Sequence, residues 1–161
     1  MTDKLKEKEE FRYAPIGVFD SGVGGLTVAR EIMRQIPKER IIYFGDTARV
    51  PYGSKSKETI IRFSRQIIRF LQSKGVKAIV IACNTASALA LETVQPEFDI
   101  PILGVVKAGA KEAAKVTKNG KIGVIATEST IESQLYTKEI HSHKPNAQVL
   151  GQTMSAVLCH W

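Results

Sequence analysis

Cysteine is scarce in this sequence, and long apolar runs are absent. The two cysteines, Cys83 and Cys159, form no Cys-x-x-Cys pair, which excludes a disulfide scaffold and gives no pattern for structural zinc. No apolar run approaches the roughly 20 residues of a membrane helix. The first ten residues are rich in charge and contain no apolar segment, so no secretory signal is expected. These absences predict a cytoplasmic protein with no membrane partner and no bound metal.

The charge balance is basic, because 23 Lys and Arg against 16 Asp and Glu give a net charge of +7. Such a charge raises the question of a nucleic-acid interface. The basic residues are spread along the chain, however, and several alternate with acids on helix faces, as in Lys111-Glu112. We therefore expect a solvated basic surface and no nucleic-acid partner. A positive field would also suit an anionic small substrate.

With 161 residues, 43% of them hydrophobic, the chain suffices for one globular domain, or for one domain and part of a second. The sequence predicts strands at 15–19, 40–44, 77–82, 100–105, 121–126 and 147–151, and helices at 26–36, 59–74, 85–94, 108–116 and 130–140. Ser56 is the expected N-cap of the second helix, and Gly75 is expected just beyond its end. Because the strands are continuously apolar, they favour an α/β fold with a parallel sheet flanked by helices.

Ligands of open parallel sheets bind beyond the carboxyl ends of the strands, so the loops there are the first candidates for a site. The first such loop spans residues 20–25 and reads Asp-Ser-Gly-Val-Gly-Gly. Its glycines permit close approach of the backbone to a ligand, and the following helix offers free N–H groups to an anion. A tight turn capped by Ser21 explains the same loop equally well. Asp20 is well placed as a general base, or as a group that orients one.

The third predicted strand leads into Cys83-Asn84-Thr85. A thiol at the start of a helix lies in the positive field of the helix dipole, so its pKa, ordinarily about 8.5, is expected to be lowered. Asn84 and Thr85 add hydrogen-bonding groups at the same place. A buried and inert cysteine is the alternative, although two polar neighbours would be unusual in a dry core.

Local sequence favours structural explanations for several other polar or aromatic groups. Tyr52 fits a surface aromatic residue in a turn. Thr127 fits an N-cap of the helix that follows the fifth strand, and with Thr130 and the open backbone amides it would equally bind a carboxylate. His141 and His143 fit an exposed polar loop.

Three motifs together resemble the glutamate racemase family. They are Gly17–Leu26 (GVFDSGVGGL), Tyr43–Ala48 (YFGDTA) with Val50–Gly53 (VPYG), and Ala82–Ala86 (ACNTA). Their order and spacing, at strand ends already singled out, make the combination specific, and the resemblance runs from about residue 15 to about residue 151. It implies a protein of two similar α/β domains that interconverts L- and D-glutamate without a cofactor and supplies D-glutamate for peptidoglycan.

The resemblance also implies roles for individual residues. Cys83 would be one of two catalytic thiols, and Asp20 would be the acid that assists it. The implied substrate contacts are Ser21, Pro51, Tyr52, Gly53, Asn84, Thr85, Thr127 and Thr130. Inversion at Cα without a cofactor requires a base on one face and an acid on the other, with the substrate carboxylate held by many donors.

The family's second thiol belongs to a Gly-Cys-Thr-His-Tyr-Pro segment, and Cys159-His160-Trp161 does not match it. We expect a charged tail at 1–14, a first α/β domain at 15–105, the start of a second at 106–152, and a non-matching terminus at 153–161. The expected product is a truncated family member that does not racemise glutamate by itself. An incomplete sheet would expose an edge and favour pairing with a partner, including a homo-oligomer.

Three alternatives stay open. An aspartate racemase would share the same architecture. A non-catalytic amino-acid-binding fragment would fit the length of the chain and its glycine-rich loop. A hydrolase with Cys83 as nucleophile would require a nearby histidine, and no histidine lies at a predicted strand end.

Overall fold

The computed structural model describes residues 11–154. Most of the predicted tail at 1–14 and of the predicted terminus at 153–161 lies outside these residues, as does Cys159. In chain order the elements are β1 (Ile16–Asp20), α1 (Leu26–Gln35), β2 (Ile41–Gly45), α2 (Lys57–Gln72), β3 (Ala78–Ile81), α3 (Asn84–Leu89), α4 (Leu91–Val94), a 3₁₀ turn (Gln95–Glu97), β4 (Ile102–Gly104), α5 (Val105–Val116), β5 (Lys121–Ala126), α6 (Glu128–Glu132), α7 (Leu135–His143) and β6 (Gln148–Thr153).

The strands form two sheets in which every pairing is parallel, as the continuous apolar runs predict. The first sheet has the order β2-β1-β3-β4, and the second consists of β5 and β6. In the first sheet Phe19 pairs with Ile81 and Asp20 with Gly45, so Asp20 lies at the carboxyl edge. The fold class is therefore confirmed as α/β with helices flanking parallel strands.

The core of the first sheet is built largely against α2. Ile60, Ile67, Ile68 and Leu71 of this helix are at most 1% exposed and pack in one cluster with buried side chains of the sheet, among them Phe19, Ile79, Ile81 and Ile102. Full burial of each such side chain stabilises the fold by about 1.5–3 kcal/mol. The predicted N-cap of α2 is confirmed, since Ser56 Oγ accepts a hydrogen bond from Thr59 N. The predicted C-terminal end is wrong by two residues, because α2 ends at Gln72 with Ser73 as its C-cap, and Gly75, with a φ of +70°, follows two positions after that cap.

Two predicted helices are each divided in the structure. The prediction of one helix at 85–94 is wrong, because the helical hydrogen bonds of α3 end at Ala90 and α4 begins at Leu91. The prediction of one helix at 130–140 is also wrong, because α6 and α7 are separated at Gln134, whose φ of +54° is left-handed. Neither break falls at a glycine or a proline, so the sequence gives no signal for it.

The second sheet packs one face against α5 and α7. Ala110, Ala114, Ile140 and Ala147 are the buried members of that cluster. The other face is open to solvent within residues 11–154, with Ile125 65% and Leu150 74% exposed. The division between residues 105 and 106 into two domains stays a prediction.

The histidines lie elsewhere than expected. His141 and His143 belong to the last turn of α7, not to a loop. A ring nitrogen of His141 is 2.9 Å from the carbonyl oxygen of Ala147, which fixes that ring beside the chain entering β6. Among the described helices, none combines the length and the apolar composition needed to cross a bilayer.

Candidate active site

The carboxyl ends of β1, β3 and β5 and the loop after β2 meet at one edge of the two sheets. Asp20 ends β1, Cys83 follows β3, and Thr127 follows β5. Direct contacts join these loops, because Cys83 is hydrogen-bonded to Ser21, and Thr85 to Thr127. The predicted site residues are thus brought together from separate parts of the chain.

Asp20 is held by the glycine-rich loop that follows it. Its carboxylate is 5% exposed, and Oδ2 accepts hydrogen bonds from the backbone N–H groups of Gly22 (3.1 Å) and Gly25 (3.0 Å). Gly25 is required by packing, since a Cβ there would lie 2.6 Å from Asp20 Cβ and 2.8 Å from Ala82 Cβ. The loop therefore wraps its own backbone donors around a buried carboxylate.

Ser21 does not cap α1. The N-cap position is Gly25, which makes no side-chain capping bond, and Ser21 Oγ instead lies 3.5 Å from Cys83 Sγ as a hydrogen-bond partner. The alternative of a turn capped by Ser21 is therefore wrong. Ser21 connects the loop after β1 to the thiol after β3.

Cys83 lies at the start of α3, as predicted, but its electrostatics differ from the prediction. Its Sγ accepts a hydrogen bond from the backbone N–H of Ala86 at 3.4 Å and is the N-cap of α3. The thiol is 5% exposed. Burial, and next the negative charge of Asp20, raise the pKa of Cys83 above its ordinary value and outweigh the hydrogen bonds that lower it. The predicted lowering of this pKa is wrong, because it considered the helix dipole without these two effects.

Three threonine hydroxyls form a cluster between the two sheets. Thr127 Oγ1 lies 3.0 Å from Thr85 Oγ1 and 2.9 Å from Thr130 Oγ1, and the third side measures 3.4 Å. Thr127 is the N-cap residue of α6, as predicted, but its side chain makes no capping hydrogen bond and contacts the other two threonines instead. Thr130 is 1% and Thr85 4% exposed. The cluster concentrates hydroxyl donors of the kind that bind a carboxylate.

Tyr52 is buried, contrary to the expectation of a surface aromatic residue. Its side chain is 2% exposed, and its hydroxyl donates a very short hydrogen bond to Asp46 Oδ2. Asp46 is itself 4% exposed and forms an ion pair with Arg49 at 2.7 Å. Burial and the bond to Asp46 raise the pKa of Tyr52. The sequence gives no signal for this burial, because only the fold shows that Asp46 is buried and therefore requires partners.

The loop that carries Tyr52 also contacts the second sheet's elements. Ser129 Oγ donates to the carbonyl oxygen of Gly53 at 3.1 Å. A Cβ at Gly53 would lie 2.8 Å from Thr127 Cγ2, so glycine permits this approach. Pro51, after a cis peptide bond, is exposed at the same edge. Of the predicted contacts in this loop, Gly53 therefore reaches the threonine cluster.

Asn84 and Tyr43 complete the edge. Asn84 is exposed, and its Oδ1 accepts a 2.8 Å hydrogen bond from the hydroxyl of Tyr136 in α7. Tyr43 donates to the carbonyl oxygen of Gly22 at 3.2 Å. Burial, with the charges of Asp20 and Cys83, raises the pKa of Tyr43 to about 12. Neither tyrosine was singled out by the sequence.

The arrangement defines a class of chemistry. A thiol and a carboxylate from neighbouring strands lie beside clustered hydroxyl donors, which suits proton transfer at a bound anionic molecule. In residues 11–154, no three His, Cys, Asp or Glu side chains gather as a metal site would require. An α/β fold with a thiol and an acid at the carboxyl edge is the framework of a thiol-based acid–base enzyme.

Comparison with known proteins identifies the family within that class. The model described as Asp/Glu/Hydantoin racemase matches residues 16–159, and the chain belongs to this family. A glutamate racemase from Geobacter metallireducens is 55% identical over 135 residues, which is 84% of this chain and 50% of that protein. The chain thus spans about half the length of such relatives.

Solved structures agree with this assignment. A glutamate racemase isoform from Bacillus anthracis superposes with a TM-score of 0.85 at 49% identity, covering 88% of this chain and 53% of that one. A glutamate racemase from Francisella tularensis, crystallised in complex with D-glutamate, gives a TM-score of 0.79 at 47% identity and covers 88% and 53%. The racemase resemblance seen in the motifs is confirmed.

Proposed function

We propose that this chain provides one proton-transfer side of a cofactor-independent glutamate racemase. Cys83 is the group that exchanges the proton at glutamate Cα, and Asp20 is the acid that assists it. The observation that carries the proposal is the meeting of these two groups with the Thr85, Thr127 and Thr130 hydroxyls at one edge. The relatives that share this half of the sequence are glutamate racemases.

The remaining expected contacts fit the same substrate. Ser21, Gly53 and Asn84 lie around the thiol and the threonine cluster, whereas Pro51 and Tyr52 belong to the loop that carries Gly53. The threonine hydroxyls would hold a carboxylate of glutamate, which favours removal of the weakly acidic α-proton by stabilising the charge that develops. The Francisella protein was crystallised with D-glutamate, which supports glutamate over aspartate as the substrate.

The raised pKa of Cys83 constrains the chemistry. Without a ligand, burial and the Asp20 charge hold Cys83 in its thiol form. The α-ammonium group is attached to the Cα that Cys83 must reach, and its positive charge favours a thiolate there. The two carboxylates of glutamate oppose this effect, so we expect substrate binding to promote the base form of Cys83 only where hydroxyl and amide donors hold the carboxylates. This step uses only the substrate and residues of the chain, so the proposal requires no cofactor and no metal.

The cellular role concerns the product of a complete racemase. D-glutamate made by an enzyme that contains this half would serve peptidoglycan synthesis, and the expected location is the cytoplasm. The exposed face of the second sheet, with Ile125 and Leu150, supports association between copies, which sedimentation at two protein concentrations tests.

Deuterium exchange tests the proposal on the chain as it is. The chain is incubated with L- or D-glutamate in D₂O, and NMR follows loss of the α-proton signal while circular dichroism follows inversion. One thiol side predicts exchange in one enantiomer without net inversion. Cys83→Ser abolishes the exchange, and Cys159→Ser is the matched control that preserves it.

Each other outcome decides against part of the proposal. Exchange that persists in Cys83→Ser rejects the role of Cys83. Binding of glutamate without exchange favours the non-catalytic amino-acid-binding alternative. Faster exchange with aspartate favours an aspartate racemase, and inversion at the rate of exchange shows that the chain holds both proton-transfer groups.

A further inference from the structure

We propose that Tyr136 is a positioning residue that orients the side-chain amide of Asn84. In this orientation Asn84 presents its N–H donors to an anionic group of the ligand, such as a carboxylate. The identity of the ligand rests on the proposed function, whereas the orientation of Asn84 is a property of the free chain.

In the structure the hydrogen bond between the two side chains engages the oxygen end of the amide. The hydroxyl of Tyr136 donates to Asn84 Oδ1 at 2.8 Å. Within residues 11–154, Asn84 Nδ2 forms no hydrogen bond. An asparagine side chain has one acceptor end and one donor end, so binding of Oδ1 by Tyr136 leaves the donor end for a ligand. A group bound there must therefore be an acceptor.

The tyrosine is itself fixed by its surroundings. Tyr136 lies in the first turn of α7, and its ring packs beside the backbone of α5 at Gly109. A Cβ at Gly109 would lie 3.4 Å from the Tyr136 hydroxyl oxygen and 3.6 Å from Cε1. Burial raises the pKa of Tyr136, so at neutral pH the hydroxyl is protonated and able to donate. Because the ring of Tyr136 is fixed by packing, its hydroxyl can orient the exposed amide of Asn84.

The position of Asn84 connects this pair to the site. Asn84 stands between Cys83 and Thr85 in the chain and is the first residue of α3. Its amide therefore belongs to the same helix start as the thiol and the Thr85 hydroxyl, and α7 reaches it across 52 positions of sequence. An unrestrained asparagine would present its acceptor end as readily as its donor end and would lose rotamer freedom on binding.

A purely structural role for Tyr136 makes different predictions, because packing of α7 on α5 depends on the ring and not on the hydroxyl. Tyr136→Phe keeps the ring and removes only the hydroxyl. Tyr13→Phe makes the same chemical change at a side chain that is 66% exposed, and is the matched control.

The first measurement needs no ligand. The side-chain amide signals of Asn84 are assigned in ¹⁵N spectra with Asn84→Ala, and their chemical shifts and order parameters are measured. We expect Tyr136→Phe to shift these signals and lower their order parameter, and Tyr13→Phe to leave them unchanged. Unchanged Asn84 signals in folded Tyr136→Phe overturn the proposal. If that variant does not fold, the ¹³Cζ shift of Tyr136 decides: loss of the bond should move it in Asn84→Ala, and an unchanged shift overturns the proposal.

The second measurement is a double-mutant cycle on glutamate affinity, by calorimetry. Loss of one hydrogen bond predicts about a threefold to tenfold weaker affinity in Tyr136→Phe. Because Tyr136 acts through Asn84, the change should have no further effect in an Asn84→Ala background. If the loss of affinity in the double variant equals the product of the losses in Tyr136→Phe and Asn84→Ala, the positioning role is overturned. If the unsubstituted chain binds no glutamate, the proposed function fails, and the NMR measurement alone decides the orientation of Asn84.

Discussion

The carboxylate of Asp20 accepts a 3.0 Å hydrogen bond from the backbone N–H of Gly25, five residues further along the chain. This bond closes the loop after β1 so tightly that the space where a Gly25 side chain would begin is occupied by Asp20 Cβ and Ala82 Cβ. The acid of the candidate site and the entry to α1 therefore depend on one residue having no side chain.

Gly25→Ala tests that dependence. The added Cβ would lie within 2.8 Å of two rigid Cβ atoms, so the loop or β1 must shift. We expect the free energy of unfolding to fall by about 1–3 kcal/mol, as for other overpacked sites, in urea denaturation. Gly123→Ala is the control, since a Cβ there meets nothing within 4 Å. Equal stability of the two variants would show that the loop adapts freely.

The alkylation of Cys83 tests the raised pKa of its thiol. In a Cys159→Ser background, we expect the rate with iodoacetamide to be low at pH 7 and to rise only above the ordinary thiol pKa of about 8.5. Because the Asp20 charge contributes to the raised pKa, Asp20→Asn should move the midpoint to lower pH. Asp99→Asn should not. If the alkylation rate of the parent protein has its midpoint below about pH 8.5, the original prediction that the helix dipole lowers the pKa of Cys83 would be correct.

Tyr52→Phe removes the donor to buried Asp46. We expect a loss of about 1.5–3 kcal/mol in the free energy of unfolding, since the bond is to a charged group. The raised pKa of Tyr52 gives a stabilisation that is complete below the unfolded value of about 10 and is lost as pH rises beyond it. Between about pH 9 and pH 11, which brackets the ordinary tyrosine pKa of about 10, the free energy of unfolding should therefore fall less in the variant than in the parent.

Thermal denaturation across that pH range measures the difference, with Tyr13→Phe as the exposed control. A pH dependence identical in Tyr52→Phe and the parent would contradict the assignment. Tyr43, whose pKa is raised to about 12, is present in all three proteins, so part of the alkaline loss is common to them.

Gln134→Gly should stabilise the chain. Gln134 has a φ of +54°, a conformation that costs a residue with a Cβ about 1–2 kcal/mol. The greater freedom of glycine when unfolded offsets about 0.5–1 kcal/mol, so a net gain of about 0.5–1 kcal/mol is expected. Gln134→Ala removes the same side chain but keeps the Cβ, and should show no gain. A destabilised glycine variant would place the origin of the helix break elsewhere.

The sequence predicted where the acid and the thiol lie in the fold better than it predicted their burial and electrostatics. The rule that ligands bind at the carboxyl ends of parallel strands located Asp20 and Cys83, because apolar runs reveal where strands end. The raised pKa of Cys83 could not be predicted this way, since it depends on burial by residues distant in sequence. The burial of Tyr52 was missed for the same reason, as the partner that offsets it is visible only in three dimensions.

The two helix breaks show a second limit. Helical spacing continues through Ala90 and Gln134, and neither residue type ends a helix on its own. At Ala90 the chain turns so that Leu91 and Val94 reach the core of the first sheet. Tertiary packing determines where these helices break, and the helix propensities of single residues contain no information about that packing.

The threonine cluster joins residues that follow β3 and β5, strands of separate sheets. Glutamate held by these hydroxyls would therefore contact residues that follow strands of both sheets. Because such a ligand binds only the folded state, it should raise the free energy of unfolding of the two sheets together.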